Sequence, residues 1–135
     1  STRALSSAAS DVYKRQVKDH GEGGMFVGKQ LEDGEKVVIV EDVMTSGKAL
    51  KEVLPKLRGA AKVDITGMVI TVDRMEKALD SEKSAVQQAY AEEGVKVYSI
   101  VTIRDIIDAL EADVIPGKEH VPAIREYLAQ YGAKY

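Results

Sequence analysis

A run of four β-branched aliphatic residues at 37–40 constrains the fold of this chain more than any other feature. Uninterrupted apolar sequence of this kind is typical of a strand buried on both faces inside a parallel sheet. Two carboxylates, Glu41 and Asp42, follow directly, and a turn at 45–47 leads into a helix-forming run. This order of strand, acidic pair, small polar turn and helix predicts a phosphate site at the helix N-terminus, with carboxylates placed to hold hydroxyls or a hydrated metal.

The rest of the chain alternates strand-like and helix-like segments, which predicts an α/β fold with a parallel sheet. Apolar runs predict a short edge strand at 25–31 and further strands at 36–41, 62–73 and 95–101. A glycine-containing turn is expected at 32–35. Apolar spacing of the helical kind predicts helices at 47–57, from Ser81 or Ser84 to residue 93, at 103–110 and at 118–130.

Local signals predict where these helices begin and end. Pro55 predicts a kink or an early end of the first helix, because its ring clashes with the preceding turn and it has no N–H. Ser84 and Thr102 are candidate N-caps, Gly59 should close the first helix, and Gly94 is a candidate C-terminal stop. Four residues of the last helix are expected to face inward: Val121, Ile124, Leu128 and Tyr131.

Composition bounds the possible functions. The 135 residues suffice for one domain with a core, and their net charge is -3. The charge balance therefore gives no reason to expect a nucleic-acid partner or an anionic membrane, because both require a concentrated positive charge. The sequence has no cysteine, which excludes thiolate catalysis and zinc–thiolate sites and fits a reducing cytoplasm. No apolar run approaches the roughly 20 residues that span a bilayer.

The first 16 residues form a Ser- and Ala-rich leader without periodicity, a composition that predicts a disordered arm. All eleven residues of 6–16 match the translation of a transposase sequencing adapter in one reading frame. We therefore interpret 1–16 as a non-native leader and exclude it from the predicted fold. Amplifying the locus from source DNA checks this, because an upstream frame that still encodes SSAASDVYKRQ would contradict it.

The pattern at 37–49 resembles the signature of type I phosphoribosyltransferases, which bind 5-phosphoribosyl 1-diphosphate. It consists of four apolar residues, Glu-Asp, two further apolar residues and Thr-Ser-Gly-Lys-Ala. The resemblance implies that Glu41 and Asp42 hold the ribose 2- and 3-hydroxyls, directly or through Mg²⁺ bound mainly by the substrate. Asp is more usual in the family where Glu41 stands. The residues implied to wrap the 5-phosphate are Thr45, Ser46, Gly47, Lys48 and Ala49.

Residues 18–24, KDHGEGG, resemble the mobile catalytic loop of orotate phosphoribosyltransferases. The resemblance implies that Lys18 and His20 neutralise the departing pyrophosphate and exclude water. In that family the loop reaches the active site of the partner subunit, which implies a homodimer. The alternative for His20 is a surface histidine without a role. Lys14 and Arg15 stand where the family has an Arg-Lys pair, but they belong to the adapter-like segment and receive no role.

Asp73 and Arg74 end the second strong strand, and ligands of open α/β sheets bind at the carboxyl ends of strands. We therefore expect Arg74 beside the same crevice as Glu41 and Thr45. A guanidinium suits a carboxylated pyrimidine, and the resemblance assigns Arg74 to the orotate carboxylate. The alternative is a structural Arg–Asp pair. Four tyrosines are expected to be core or interface aromatics: Tyr90, Tyr98, Tyr127 and Tyr131.

The resemblance runs from Lys18 to residue 135 and implies that 17–135 is the C-terminal part of a phosphoribosyltransferase domain. The implied fold is a parallel sheet flanked by helices, incomplete at its N-terminal side. The implied reaction transfers the phosphoribosyl group of 5-phosphoribosyl 1-diphosphate to orotate, giving orotidine 5-monophosphate and pyrophosphate, with Mg²⁺, in cytoplasmic UMP biosynthesis.

The family's N-terminal portion, with two substrate-binding elements, has no counterpart in these residues. We therefore expect little or no product from this chain alone, and an exposed sheet edge with an uncovered apolar face. Two alternatives stay open. One is a purine-base phosphoribosyltransferase of the same fold, and the other is a non-enzymatic domain that senses 5-phosphoribosyl 1-diphosphate.

Overall fold

The computed structural model of the chain describes residues 26–135. The leader 1–16 and the loop 18–24, for which disorder and a catalytic role were predicted, lie outside this range. The described elements follow the order β1 (Lys36–Val43), α1 (Lys48–Ala60), β2 (Asp64–Asp73), α2 (Ala85–Glu93), β3 (Val97–Thr102), α3 (Ile103–Glu111), a 3₁₀ turn (Lys118–His120) and α4 (Val121–Tyr131).

The three described strands form one sheet in the order β1-β2-β3. β3 runs parallel to β2, with Met68 opposite Val97 and Asp73 opposite Thr102. The predicted α/β class with a parallel sheet flanked by helices is therefore confirmed. None of the described helices is long and apolar enough to cross a membrane.

The chain divides into two compact units, and the smaller contains, of the described residues, 26–37 together with Glu52–Asp64. Within it, the turn before β1 is tied to the segment before β2, since the Gly34 N–H donates to the Lys62 carbonyl at 2.9 Å. Gly34 has φ 87°, as expected of a turn glycine. The predicted edge strand at 25–31 is wrong for the described residues 26–31, which form bends and irregular backbone. Gly28, at φ 109°, interrupts any extended run there.

The larger unit, Val38–Lys51 with Ile65–Tyr135, contains most of the sheet and shows one buried and one open face. Met68 and Ile70 on β2 are almost fully buried. Side chains alternate along a strand, so the other face carries the exposed apolar residues. These are Val38 (50 % exposed), Val40 (66 %), Tyr98 (49 %) and Ile100 (71 %). The expected uncovered apolar face is confirmed, and the prediction that the first strand is buried on both faces is wrong.

Helix α1 continues through Pro55 to Ala60, so the predicted end near residue 57 is wrong, and Gly59 lies inside the helix. The proline removes one backbone hydrogen bond. Leu50, Leu54 and Leu57 are each 1 % exposed, and burial of this stripe outweighs the local cost.

Two predicted helix starts are confirmed as capping boxes. Ser84 Oγ accepts the Gln87 N–H at 3.2 Å, and Gln87 Oε1 accepts the Ser84 N–H at 2.9 Å. Thr102 and Asp105 form the equivalent pair at α3, and the Thr102 hydrogen bonds hold the pKa of Asp105 below its ordinary value. Gly94 ends α2 in the left-handed conformation, as predicted.

The predicted last helix is divided into the 3₁₀ turn and α4, and Pro122 lies in the first turn of α4, where proline is favoured. Val121 is buried with Ile107 and Leu110, and Ile124 and Leu128 pack against this cluster. Tyr131 does not face inward as predicted. All four tyrosines predicted as core or interface aromatics are exposed, so the core interpretation is wrong and the interface interpretation stays a prediction: Tyr90, Tyr98, Tyr127 and Tyr131.

Candidate functional site

The turn between β1 and α1 lies within the larger unit and lines a small, partly open cavity of about 60 Å³. Gly47 adopts φ 69°, and its carbonyl accepts the Lys51 N–H at 3.1 Å, which begins the helix. A Cβ at Gly47 would meet no atom within 4 Å, so the backbone angle and not crowding favours glycine here. Ser46 Oγ accepts the Lys48 N–H at 3.4 Å. The lining includes every residue predicted to wrap the phosphate: Thr45, Ser46, Gly47, Lys48 and Ala49.

The electrostatics and size of this cavity suit one small anion. The first turn of α1 carries no acidic residue, so none of its own side chains neutralises the positive end of the helix dipole. The cavity is small and partly open to solvent, which suits a single phosphate group.

The two predicted ribose-binding carboxylates point to opposite faces of β1, because adjacent side chains of a strand alternate. Glu41 is partly buried and lines the cavity. Asp42 is exposed and accepts the Val43 N–H on Oδ1 at 2.7 Å. The structure therefore brings Glu41, and not Asp42, to the cavity wall.

Glu41 is also the carboxylate best placed to contact a metal that arrives with a phosphorylated ligand. Across residues 26–135, no cluster of three or more Asp, Glu, His or Cys side chains could hold a metal ion. Mg²⁺ commonly binds through one or two carboxylates together with substrate phosphates. A single carboxylate beside the cavity is compatible with that mode, and Glu41 is the carboxylate that lines it.

Arg74 lines a second and larger cavity of about 320 Å³, at the carboxyl end of β2. Its Nη2 lies 2.6 Å from Glu76 Oε1. The rest of the lining is Glu76, His120 and a mostly apolar set from α3 and α4: Ile103, Ala123, Ile124, Tyr127 and Leu128. Arg74 does not line the cavity of Glu41 and Thr45, so the structure does not show the single crevice that was expected. The alternative of an Arg–Asp pair is wrong, because the ion-pair partner is Glu76.

Asp73, Ser84 and Tyr135 form a chain of hydrogen bonds that sequence reasoning did not identify. The Tyr135 hydroxyl donates to Asp73 Oδ2 at 2.8 Å and lies 2.6 Å from Ser84 Oγ. Asp73 Oδ1 accepts the Met75 N–H at 2.8 Å. The sequence placed Asp73 at a strand end and Ser84 at a cap, but no local signal connects either residue with Tyr135.

Tyr135 predicts a pH dependence of stability. Burial is the largest cause that raises its pKa from 10.0 to about 12; the bond to Asp73 adds to this, while Ser84 and Arg104 oppose it. A raised pKa means that the folded state favours the protonated phenol. Its contribution is present below pH 10 and is lost as the pH rises towards about 12. Urea unfolding should show the stability difference between the parent and Tyr135→Phe shrinking over that interval, and a constant difference would contradict this.

Comparison with known protein families matches residues 4–101 to the phosphoribosyl transferase domain. The chain belongs to the phosphoribosyl transferase family. The turn at 45–47 and the cavity beside it lie within the matched range of this family member. The match begins inside the leader 1–16, so it overlaps part of the segment that was set aside.

Two curated relatives of this phosphoribosyl transferase family member carry the same name. The chain is 48 % identical over 126 residues to the orotate phosphoribosyltransferase of Bifidobacterium adolescentis, and the alignment covers 89 % of this chain and 54 % of the relative. It is 40 % identical over 133 residues to that of Clostridium acetobutylicum, covering 95 % and 59 %. The chain thus spans somewhat more than half the length of the curated relatives that it matches.

Solved structures support the same fold. The orotate phosphoribosyltransferase of Francisella tularensis superposes with a TM-score of 0.66 at 29 % identity, over 82 % of this chain and 52 % of that one. UMP synthase of Leishmania donovani gives a TM-score of 0.65 at 20 % identity, over 96 % and 26 %, which supports the fold alone. Lys18 and His20, the predicted catalytic pair, lie outside the described residues, and their roles stay predictions.

Proposed function

We propose that this chain contributes the ribose-phosphate half of an orotate phosphoribosyltransferase site. The proposed reaction transfers the phosphoribosyl group of 5-phosphoribosyl 1-diphosphate to orotate and releases pyrophosphate. The observation that carries the proposal is the phosphate-sized cavity between Glu41 and the N-terminus of α1. The names of the curated relatives support orotate as the acceptor.

The described residues take distinct roles in this proposal. The turn 45–47 and the first amides of α1, with Lys48 and Ala49, bind the 5-phosphate. Glu41 holds a ribose hydroxyl or a water of Mg²⁺, and Asp42, on the opposite face of β1, would join it only after a change in the backbone at the end of the strand. Arg74 binds the carboxylate of orotate as a charge-assisted pair. The apolar lining of the same cavity is suited to the face of a pyrimidine ring.

Lys18 and His20 complete the proposed chemistry as cations on a lid over the pyrophosphate. We further propose that the family member acts as a cytoplasmic homodimer and that 17–135 is its native part. The exposed ring pair Tyr127–Tyr131, with centroids 4.8 Å apart, supports an interface. Sedimentation velocity tests the dimer, and a purely monomeric chain at micromolar concentration would contradict it.

Calorimetric titration tests the proposed ligands on the 135-residue chain. We expect binding of 5-phosphoribosyl 1-diphosphate with Mg²⁺, and then of orotate in preference to hypoxanthine. Arg74→Gln should weaken orotate binding by about tenfold or more, the usual effect of losing a hydrogen bond between charged groups. It should leave binding of the phosphorylated sugar unchanged.

Arg58→Gln, on the exposed part of α1, is the matched control and should bind both ligands like the parent. A preference for hypoxanthine would instead favour the purine-base alternative. Failure to bind 5-phosphoribosyl 1-diphosphate would overturn the proposal.

A further inference from the structure

The segment that follows α4 lies along the turn that carries Arg74. The Ala133 N–H donates to the Met75 carbonyl, and the Lys77 N–H donates to the Tyr131 carbonyl, both at 2.8 Å. Glu76 and Gly132 pair as an isolated antiparallel bridge. Backbone hydrogen bonds therefore fix the residues on the carboxyl side of Arg74.

Asp73 fixes the other side of Arg74. It is 7 % exposed, and its two oxygens have different partners, the Met75 N–H and the Tyr135 hydroxyl. Met75 adopts φ 54°, an unfavourable angle for a residue with a side chain. The bond from the Met75 N–H to Asp73 Oδ1 brackets Arg74, so the Asp73 carboxylate ties together the backbone on the two sides of Arg74.

The donors and acceptors of this network determine the direction in which the Tyr135 hydroxyl donates its hydrogen. A carboxylate only accepts, so the Tyr135 hydrogen points to Asp73 Oδ2. Ser84 Oγ accepts the Gln87 N–H, so its own hydrogen is free to point to the Tyr135 oxygen. The chain runs from Ser84 through Tyr135 to Asp73, and each hydroxyl donates once. Partial burial raises the pKa of Tyr135 from 10.0 to about 12, and the phenol is protonated at neutral pH at either value.

A further bond holds the segment against α2. Gln87 Nε2 donates to the Lys134 carbonyl at 2.7 Å, beside the Ser84 cap. The position of Tyr135 is therefore set from the helix N-terminus, and the hydroxyl transmits that position to Asp73.

We propose that Tyr135 is a positioning residue for Arg74, and that its hydroxyl holds the turn 73–75 so that the guanidinium faces the cavity beside α4. The part of this inference that concerns orotate rests on the proposed function. The part that concerns the turn does not depend on any ligand.

The test compares Tyr135→Phe with the parent chain. The change removes the hydroxyl and keeps the ring. We expect the Met75 amide to exchange with solvent about fivefold to tenfold faster, because the Asp73 carboxylate that accepts its hydrogen bond loses the second hydrogen bond, from the Tyr135 hydroxyl. The side-chain Nε–H resonance of Arg74 should shift, and orotate affinity should fall by about fivefold, while ribose 5-phosphate affinity stays unchanged. Tyr90→Phe, at an exposed position of α2, is the matched control.

Each outcome decides one part of the inference. Unchanged Met75 exchange and an unchanged Arg74 resonance would overturn the positioning role. Faster exchange throughout β2, including the buried Ile70, would also overturn it, in favour of a general structural role. If the parent chain does not bind orotate at all, the proposed function fails at Arg74. The amide and side-chain signals still decide whether Tyr135 holds the turn.

Discussion

Ala49→Glu should reduce binding of ribose 5-phosphate by about a hundredfold. Ala49 lies in the first turn of α1 and lines the small cavity, so a carboxylate there competes with the phosphate for the same amides. Two like charges ~4 Å apart repel by about 4 kcal/mol at an effective dielectric constant of 20, and rotation of the glutamate away from the ligand reduces this. About 2.8 kcal/mol corresponds to a hundredfold in affinity.

The fold should tolerate this change. Glutamate is a good helix former, and a negative charge in the first turn of a helix stabilises it by about 0.3–1 kcal/mol. Ala60→Glu is the matched control, because it adds the same charge at the exposed last residue of the same helix. Calorimetry should find binding reduced for Ala49→Glu alone, with melting temperature preserved. Parent-like affinity in Ala49→Glu would show that the phosphate does not bind at this helix end.

Ile70→Ala should have the largest effect on stability, a loss of about 2–5 kcal/mol. Ile70 is 0 % exposed on the central strand of the described sheet, so truncation leaves a cavity that a strand cannot readily close. A domain of this size is stable by only about 5–15 kcal/mol. Thr71→Ala, the exposed neighbour on the same strand, should stay within about 0.5 kcal/mol of the parent.

Urea unfolding followed by circular dichroism separates these outcomes. The midpoint should fall for Ile70→Ala with an unchanged slope, since the surface exposed on unfolding is nearly the same. Equal effects of the two alanine variants would contradict the assignment of the buried face of β2.

Local features of this fold could be predicted because their causes lie within a few residues. The caps at Ser84 and Thr102 satisfy amides three residues away, and Gly47 supplies the backbone angle that the turn before α1 requires. The same locality allowed the cavity at 45–49 to be anticipated from strand, turn and helix in sequence. The predicted effect of Pro55 on α1 did not occur as expected, because burial of the leucine stripe keeps the helix intact beyond the proline.

Other features depend on partners that are remote in sequence. The run 37–40 reads as fully buried, but Val38 and Val40 are exposed because nothing in the described residues covers that face. Glu41 and Asp42 are separated because adjacent side chains of a strand point to opposite faces. The prediction of a joint role for the pair did not take this alternation into account. The contact between Asp73 and Tyr135 joins residues 62 positions apart, and no periodicity or short motif reports it.

The open face of the sheet has a practical consequence for dye-based assays. Fluorescent probes such as ANS bind exposed apolar surface, and their signal is commonly interpreted as a sign of a partly unfolded state. Val40, Tyr98 and Ile100 offer such a surface in the folded chain. ANS fluorescence from this protein therefore does not by itself indicate loss of structure, and thermal-shift assays with similar dyes should begin from a high baseline. Fixed side-chain NMR signals, which a state without specific packing lacks, are the better measure of its folded state.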